Sequence, residues 1–168
     1  AKSGSYAFKQ ENEDQDDVNI IGQFGVGFYS AFMIANNVEV VSKELASDTA
    51  HKWESNGTDG YTISAAPKEN VGTTITLHIK DDTDDIKYSD YLEEYKIRNI
   101  VKRYSDYIHY PIIMKCENRK LKEGSSDEYE TIYEDETLNS MTPIWKKNKK
   151  DITDDEYNNF YTGKFFDY

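Results

Sequence analysis

Three glycines stand directly before a segment with helical periodicity, in the stretch IIGQFGVGFYSAF at residues 20–32. Backbone N–H groups at a helix N-terminus bind phosphate well, because they point outward and the helix dipole favours negative charge. A backbone can approach an anion closely where no Cβ intervenes, which glycine allows. Gly22, Gly25 and Gly27 could therefore form a phosphate-binding loop. They could equally serve close packing of the helix, and their spacing alone does not separate the two interpretations.

This glycine pattern differs from the common nucleotide-binding motifs. Gly22-x-x-Gly25-x-Gly27 is not the G-x-G-x-x-G order of dinucleotide-binding folds, and no Lys-Ser/Thr pair follows it as in a P-loop. The three histidines are scattered without ligand spacing, so we expect no metal site. Cys116 is the only cysteine, which excludes an internal disulfide and fits a reducing compartment. We interpret it as a small apolar residue inside a strand.

Composition narrows the class of protein. The 168 residues carry a net charge of -12, which argues against a nucleic-acid binder because such proteins present basic surfaces. No apolar run approaches the roughly 18 residues of a membrane span, and the N-terminus lacks the apolar core of a signal peptide. We therefore expect a soluble cytoplasmic protein. Because the chain begins at Ala1 without Met, we expect either a piece of a longer protein or removal of an initiator Met.

Alternating β-branched and apolar residues predict a sheet. In 73–80, Ile75, Leu77 and Ile79 should face one side, with His78 on the solvent side. The polar stretch 118–128 reads as a flexible connection. The predicted strands are Val38–Glu44, His51–Ser55, Tyr61–Ala65, Thr73–Lys80, Ile112–Glu117 and a short one from Tyr129.

Helical periodicity appears in three places. Phe28, Phe32 and Ala35 predict a helix that stops at the two asparagines 36–37. A long helix should follow Ser89 or Asp90 and continue to residue 108, with an apolar stripe. Thr153-x-x-Glu156 has the pattern of a capping box before a short aromatic helix. Antiparallel strands mixed with helices predict an α+β fold, a two-layer sandwich rather than a parallel βαβ sheet. The stripe of the long helix comprises Ile97, Val101, Tyr104 and Ile108, widened by Ile100.

Several of these segments, taken together, resemble the heat-shock protein 90 family of ATP-dependent chaperones. The block GQFGVGFYSAF at 22–32 is preceded by AKSG at 1–4, and the likeness continues in order along essentially the whole chain. The short connection at 118–128 is similar to the bacterial branch. The further similar segments are KWES at 52–55, VGTTITLHIK at 71–80, KRYSDYIHYPI at 102–112, TPIWKKNKKDIT at 142–153 and DDEYNNFY at 154–161.

The resemblance implies an ATP or ADP site with Mg²⁺ in a GHKL-type ATPase domain, of which this chain would hold the second half. It implies that residues 2–27 form the ATP lid, with glycines as hinges at both ends. Without it, Lys2 would be interpreted as a surface lysine and Thr73 as an ordinary strand residue. The implied nucleotide-binding residues are Lys2, Gly22, Gln23, Phe24, Gly25, Val26, Gly27, Phe28 and Thr73.

The resemblance also implies what this chain would not supply. The family's catalytic glutamate, its magnesium-binding asparagine and its adenine-binding aspartate precede the lid, and a middle-domain arginine follows residue 168. We therefore expect no catalytic residue in this chain and no ATP hydrolysis by it alone. The implied layout is 1–117 for the nucleotide-binding half-domain, 118–136 for a linker with a docking strand, and 137–168 for the start of the middle domain.

In the intact protein, the resemblance implies a homodimer that closes around client proteins, without nucleic acid or membrane as partners. Two other interpretations remain open. The chain could be a non-catalytic interaction module whose aromatic surface docks a partner. It could also belong to another GHKL group such as the histidine kinases, which the segment at 142–153 disfavours.

Overall fold

The computed structural model describes residues 21–22, 26–125 and 127–165, the side chains of 163–165 excepted. The chain divides into two compact units, Ala1–Asp90 and Tyr91–Tyr168. Both contain antiparallel strands and helices, so the α+β class is confirmed. No helix in the described part of the chain is long and apolar enough to cross a membrane.

The first unit is built on a four-stranded antiparallel sheet in the order β3-β2-β1-β4. Its central strand β1 pairs with β2 on one side and with β4 on the other, across a bulge near its start. The strands are β1 (Ala35–Lys43), β2 (Ala50–Ser55), β3 (Thr62–Ala66) and β4 (Gly72–Ile79). All four predicted strands of this unit are therefore confirmed within a few residues.

The two faces of this sheet differ in chemistry. Directly opposed residues of an antiparallel pair lie on one face, so the register places Trp53, Val40 and Ile75 in one row. Val38, two residues before Val40, is fully buried on that face. His78 lies on the opposite face and bonds to Glu39, which confirms the predicted alternation of β4.

A short helix precedes the sheet and packs on part of its apolar face. It begins as a 3-10 turn at Gly27–Ser30 and continues as α1 (Ala31–Ile34). The prediction that Ala35 closes the helical stripe and that the asparagines stop the helix was wrong. Ala35 is extended and buried, and β1 starts there, because the chain must turn directly into the central strand to bury Val38.

The second unit packs helices against a two-stranded hairpin. A 3-10 segment, Tyr88–Leu92, lies at the division between the units and is followed by α2 (Glu94–Ile100) and a π-helical turn, Val101–Ser105. The hairpin strands pair from Ile113 to Leu121. The remaining elements are β5 (Ile113–Leu121), β6 (Tyr129–Thr137), 3-10 turns at Ile144–Lys146 and Lys149–Asp151, and α3 (Asp154–Phe165).

Two predictions for this unit need correction. The long helix is divided into 3-10, α and π segments instead of running continuously to residue 108. The segment 118–128 is not a flexible connection throughout, because residues 118–121 extend β5 and pair with β6. The core of the unit consists of Val101, Cys116 and Leu138, which confirms Cys116 as a buried strand residue.

Candidate functional site

The glycine-rich segment enters the first unit at the start of the short helix. Tyr29 donates its backbone N–H to Val26 O at 3.1 Å, which closes the first 3-10 turn. The N–H groups of Gly27 and Phe28 precede that bond and are therefore not used inside the helix. Of the nine predicted nucleotide-binding residues, Gly22, Val26, Gly27, Phe28 and Thr73 can be placed. Lys2, Gln23, Phe24 and Gly25 lie outside the described residues.

The surroundings of two glycines bear on the two interpretations left open above. A Cβ built on Gly22 or on Gly27 would meet no described atom within 4 Å. Neither glycine is therefore required for close packing within the described part of the chain. Gly22 has a φ of +81°, a left-handed conformation that glycine adopts without strain. For Gly27, whose φ is not left-handed, close approach of a ligand to the backbone stays a prediction.

Phe28 anchors the helix start to the sheet. Its ring meets Trp53 edge-on at a centroid distance of 5.7 Å and Phe32 at 6.4 Å. Trp53 in turn stacks on Tyr61 at 6.2 Å. Edge-to-face and stacked aromatic pairs of this kind stabilise beyond the apolar area that they bury. Phe28 is still 40% exposed, so its ring is both fixed and accessible.

The other end of the helix is fixed by a lysine. Lys80 Nζ donates to the carbonyl oxygens of Phe32 at 2.9 Å and Met33 at 3.1 Å, and its backbone N–H bonds to Ile34 O. A cation is favourable there because the C-terminal carbonyl groups carry partial negative charge. Both ends of the helix are thus tied to the sheet, which holds the glycine-rich start in place.

Thr73 lies on the same face of the sheet as this helix. It pairs with Ser42, two residues beyond the Trp53–Val40–Ile75 row, and its Oγ1 is 2.9 Å from Ser42 Oγ. Standard strand geometry puts it about 7 Å along and about 10 Å across from Trp53. The fold therefore brings Phe28 and Thr73 to the same face of the sheet.

The opposite face carries a polar network that was not predicted. Lys52 Nζ bonds to Glu54 Oε2 at 2.7 Å and lies 3.6 Å from Glu39, which also contacts His78. The Lys52 bond, with that of Asn37, holds the pKa of Glu54 below its ordinary value, while Glu54 raises the pKa of Lys52. Alternation places these residues on one face, but their pairing depends on a register that the sequence does not give.

In the second unit, Arg98 forms the centre of a second charged cluster. Its guanidinium bonds to Glu94 at 2.8 Å, to Glu136 at 3.1 Å and to the Cys116 sulfur at 3.1 Å. Hydrogen bonds from Arg98 lower the pKa of Glu94, and bonds from Asn118 and Arg98 lower that of Glu136. Burial raises the pKa of the Cys116 thiol, which disfavours the thiolate form.

Asn139 holds the segment after the hairpin in place. This buried residue donates from Nδ2 to Ile108 O at 2.8 Å and Tyr110 O at 2.9 Å, and its Oδ1 accepts from Ile112 N–H. A cavity of about 440 Å³ lies beside this segment in the same unit. Its lining includes Tyr107 and Phe160 and none of the predicted nucleotide-binding residues. Among the described residues, no group of three or more His, Cys, Asp or Glu could hold a metal ion.

The fold defines an α+β protein with a helix start presented over an antiparallel sheet, and comparison with known proteins identifies its family. The family model described as "Hsp90 protein" matches residues 90–135 and 116–167. The chain is 57% identical over 164 residues to "Chaperone protein HtpG" of Oceanobacillus iheyensis, and 58% identical over 164 residues to that of Shouchella clausii. It is 55% identical over 166 residues to "Chaperone protein HtpG" of Bacillus subtilis.

These matches cover 98–99% of this chain and therefore both units. The chain belongs to the Hsp90 family and is of the bacterial HtpG type. It spans about a quarter, 26%, of the length of these relatives.

Proposed function

We propose that this chain is part of an ATP-dependent molecular chaperone and carries the phosphate-binding side of its nucleotide site. The observation that supports this most is Gly27, whose missing side chain serves no packing contact with a described residue. It stands at the start of a helix that Phe28 ties to the sheet at this end and Lys80 at the other. The relatives are named chaperones, which adds the functional class. The GHKL-type domain, the cytoplasmic location, the homodimer and the client proteins are parts of the same proposal.

In the proposed site, this chain binds and orients the nucleotide. Backbone N–H groups of residues 22–27 would face the terminal phosphate, and Lys2 would add a positive charge. Phe28 would contact the nucleotide, and Thr73 would reach the base from the same side of the sheet. Residues 2–27 would close over it as the lid. Mg²⁺, which neutralises phosphate charge when bound, would take its protein ligands from another part of the intact protein.

Calorimetry with Mg-ATP tests this proposal on the longest polypeptide that contains this chain. Replacing Gly25→Asp should abolish binding, because a carboxylate would occupy the phosphate position and repel it. Gly124→Asp is the control for an added charge, since Gly124 lies in the hairpin turn of the second unit with no described atom near its Cβ position. Its φ of +85° is left-handed, a conformation that Asp adopts more readily than most residues. Equal affinity in the parent and the Gly25→Asp variant would contradict the phosphate-binding role.

A second candidate function, a protein-interaction module without nucleotide, also has a supporting observation. On the apolar face of the sheet, Ile63 is 64% exposed and Ile75 is 52% exposed. Exposed apolar side chains grouped on one face are typical of protein contact surfaces. The same calorimetry separates the two candidates, because this alternative gives no heat of ATP binding with an otherwise folded protein.

A further inference from the structure

The loop between β2 and β3 contains the dipeptide Asn56–Gly57 in a highly constrained conformation. Asn56 Oδ1 accepts hydrogen bonds from the backbone N–H groups of Thr58 and Asp59, both at 3.0 Å. Its Nδ2 donates to Asp59 Oδ2 at 2.7 Å. Both ends of the Asn56 amide are therefore engaged inside the loop.

The following backbone nitrogen is engaged as well. Gly57 donates its N–H to Ser55 Oγ at 2.9 Å, and the same hydroxyl donates to Gly60 O at 2.5 Å. Ser55 is buried, whereas Gly57 and Gly60 are exposed, so this pair of bonds is partly buried. The loop thus fixes the carboxamide of Asn56 and the nitrogen of Gly57 separately, each on its own partners.

An Asn–Gly sequence has a defined chemistry in water. The Gly57 nitrogen loses its proton and attacks Asn56 Cγ, ammonia leaves, and a five-membered succinimide forms. Water then opens the ring to give aspartate or isoaspartate, with no oxidant or reductant required. Glycine favours the attack because it has no side chain to crowd the nitrogen. Ring closure requires the Asn56 side chain to swing toward Gly57, which the bonds described above prevent.

We propose that Asn56 is a deamidation site held back by this loop, so that succinimide forms only when the loop opens. Opening must break the three bonds to Asn56 Oδ1, which come from Thr58 N–H, the Thr58 hydroxyl and Asp59 N–H, and the bond from Gly57 to Ser55. The rate of a reaction that proceeds through a locally open state is proportional to the population of that state, so a rarely open loop reacts slowly.

Isoaspartate at position 56 should disturb the short helix that begins at Gly27. Gly57 has a φ of +83°, and a Cβ on it would lie 2.9 Å from Phe32 Cδ1, so its backbone packs against that ring. Isoaspartate adds a methylene to the main chain directly before this contact. The added atom should displace Phe32, which contacts Phe28, and Phe28 contacts Trp53.

Mass spectrometry of the full 168-residue chain, aged at neutral pH, tests the proposal. A synthetic peptide of residues 53–60 in the same buffer gives the rate without the fold. The chain should deamidate at Asn56 at least about tenfold more slowly than the peptide, since several hydrogen bonds must break first. Ser55→Ala should raise the rate in the chain toward that of the peptide, and Asp59→Ala, an exposed substitution, should raise it less.

Equal rates in the chain and the peptide would overturn the proposal, as would a Ser55→Ala chain that stays folded and reacts no faster. Trp53 fluorescence tests the structural consequence. The isoaspartate form, separated after ageing, should show a changed spectrum. Asn56→Asp made by expression loses the bond to Asp59 but keeps the normal main-chain length, so its spectrum should change less. An unchanged isoaspartate spectrum would contradict the link to Phe32.

Discussion

Two glycines of the first unit show how the same residue type serves different purposes. Gly27 begins a 3-10 turn, its φ lies outside the left-handed region, and its Cβ position is open. Gly57 has a left-handed φ and packs against the Phe32 ring. Among the described residues, a side chain at Gly27 would therefore meet no neighbour, whereas one at Gly57 would meet the Phe32 ring. Substituting each by alanine separates binding from stability.

Gly27→Ala should leave stability nearly unchanged and weaken nucleotide binding. Alanine is the better helix former and meets no described atom, so the free energy of unfolding should change by less than about 1 kcal/mol. Its methyl group would keep a phosphate away from the backbone, and the loss of one charge-assisted hydrogen bond lowers affinity about tenfold or more. Calorimetry with Mg-ATP and thermal unfolding of the same samples measure both effects.

Gly57→Ala is the control for Gly27→Ala, because here the added methyl group should reduce stability. Backbone strain and the clash with Phe32 should lower the free energy of unfolding by about 1–3 kcal/mol. If Gly27→Ala proved the more destabilising of the two, Gly27 would have a packing role after all, and the ligand interpretation would lose its support.

At the scale of residues, the sequence predicted what depends on local pattern. Cys116 and His78 were placed correctly, because a lone cysteine in an apolar strand and a polar residue in an alternating strand follow from periodicity. The partners of Arg98 could not be predicted, since Glu136 is 38 residues away and meets it only through packing of the second unit.

Helices and strands were predicted in type and order more accurately than in extent. Strand β5 was predicted to end at Glu117, because the residues that follow it are polar. Those residues extend the strand because a hairpin satisfies backbone hydrogen bonds whatever the side chains, and Arg119 pairs with Thr131. The helix predicted after Ser89 is divided into 3-10, α and π segments. Its two ends also bond to β5 and to Asn139, which an apolar stripe does not reveal.

The charged cluster around Arg98 joins α2 to β6 and makes the stability of the second unit depend on pH. Arg98 on α2 bonds to Glu94 of the same helix and to Glu136 on β6. Both carboxyl groups have pKa values below their ordinary value. A lowered pKa means that the carboxylate form favours folding: its contribution is present above the ordinary value near 4.5 and is lost as pH falls through the folded value.

Arg98→Met should therefore lower the melting temperature at pH 7 by a few degrees, and by less at pH 4. At neutral pH, the variant leaves two carboxylates without their cation, whereas at low pH they become protonated and need no partner. Circular dichroism melts across this range measure the difference. Arg103→Met is the matched control, because Arg103 lies over the Tyr104 ring. If Arg98→Met lowered the melting temperature by the same amount at every pH, Arg98 would stabilise the unit by packing alone.

At the scale of the molecule, the first unit presents an incompletely covered sheet. Val38 is buried beneath the helix, while Ile63 and Ile75 on the same face are largely exposed. The chain also spans only 26% of the length of its relatives. The family could be recognised from several motifs in order, but the sequence could not show which part of the apolar face the short helix covers.

For catalysis, the prediction is that this chain supplies only some of the nucleotide contacts and that the catalytic carboxylate belongs to another part of the intact protein. General-base hydrolysis needs a carboxylate held against the attacking water. We expect the 168-residue chain to release no phosphate above the buffer rate in a coupled assay with Mg-ATP, while the intact protein does. Phosphate release by the chain at the rate of the intact protein would place the catalytic carboxylate inside it.

The two glycine-containing turns of the hairpins give practical guidance for labelling this protein. Gly57 is wedged against Phe32, so an inserted tag or fluorophore between β2 and β3 would disturb the first unit. Gly124, between β5 and β6, has an equally left-handed backbone but no described atom near its Cβ position. Exposed turns of that kind tolerate insertions best. A reporter group placed at the second turn should therefore follow the protein without altering it.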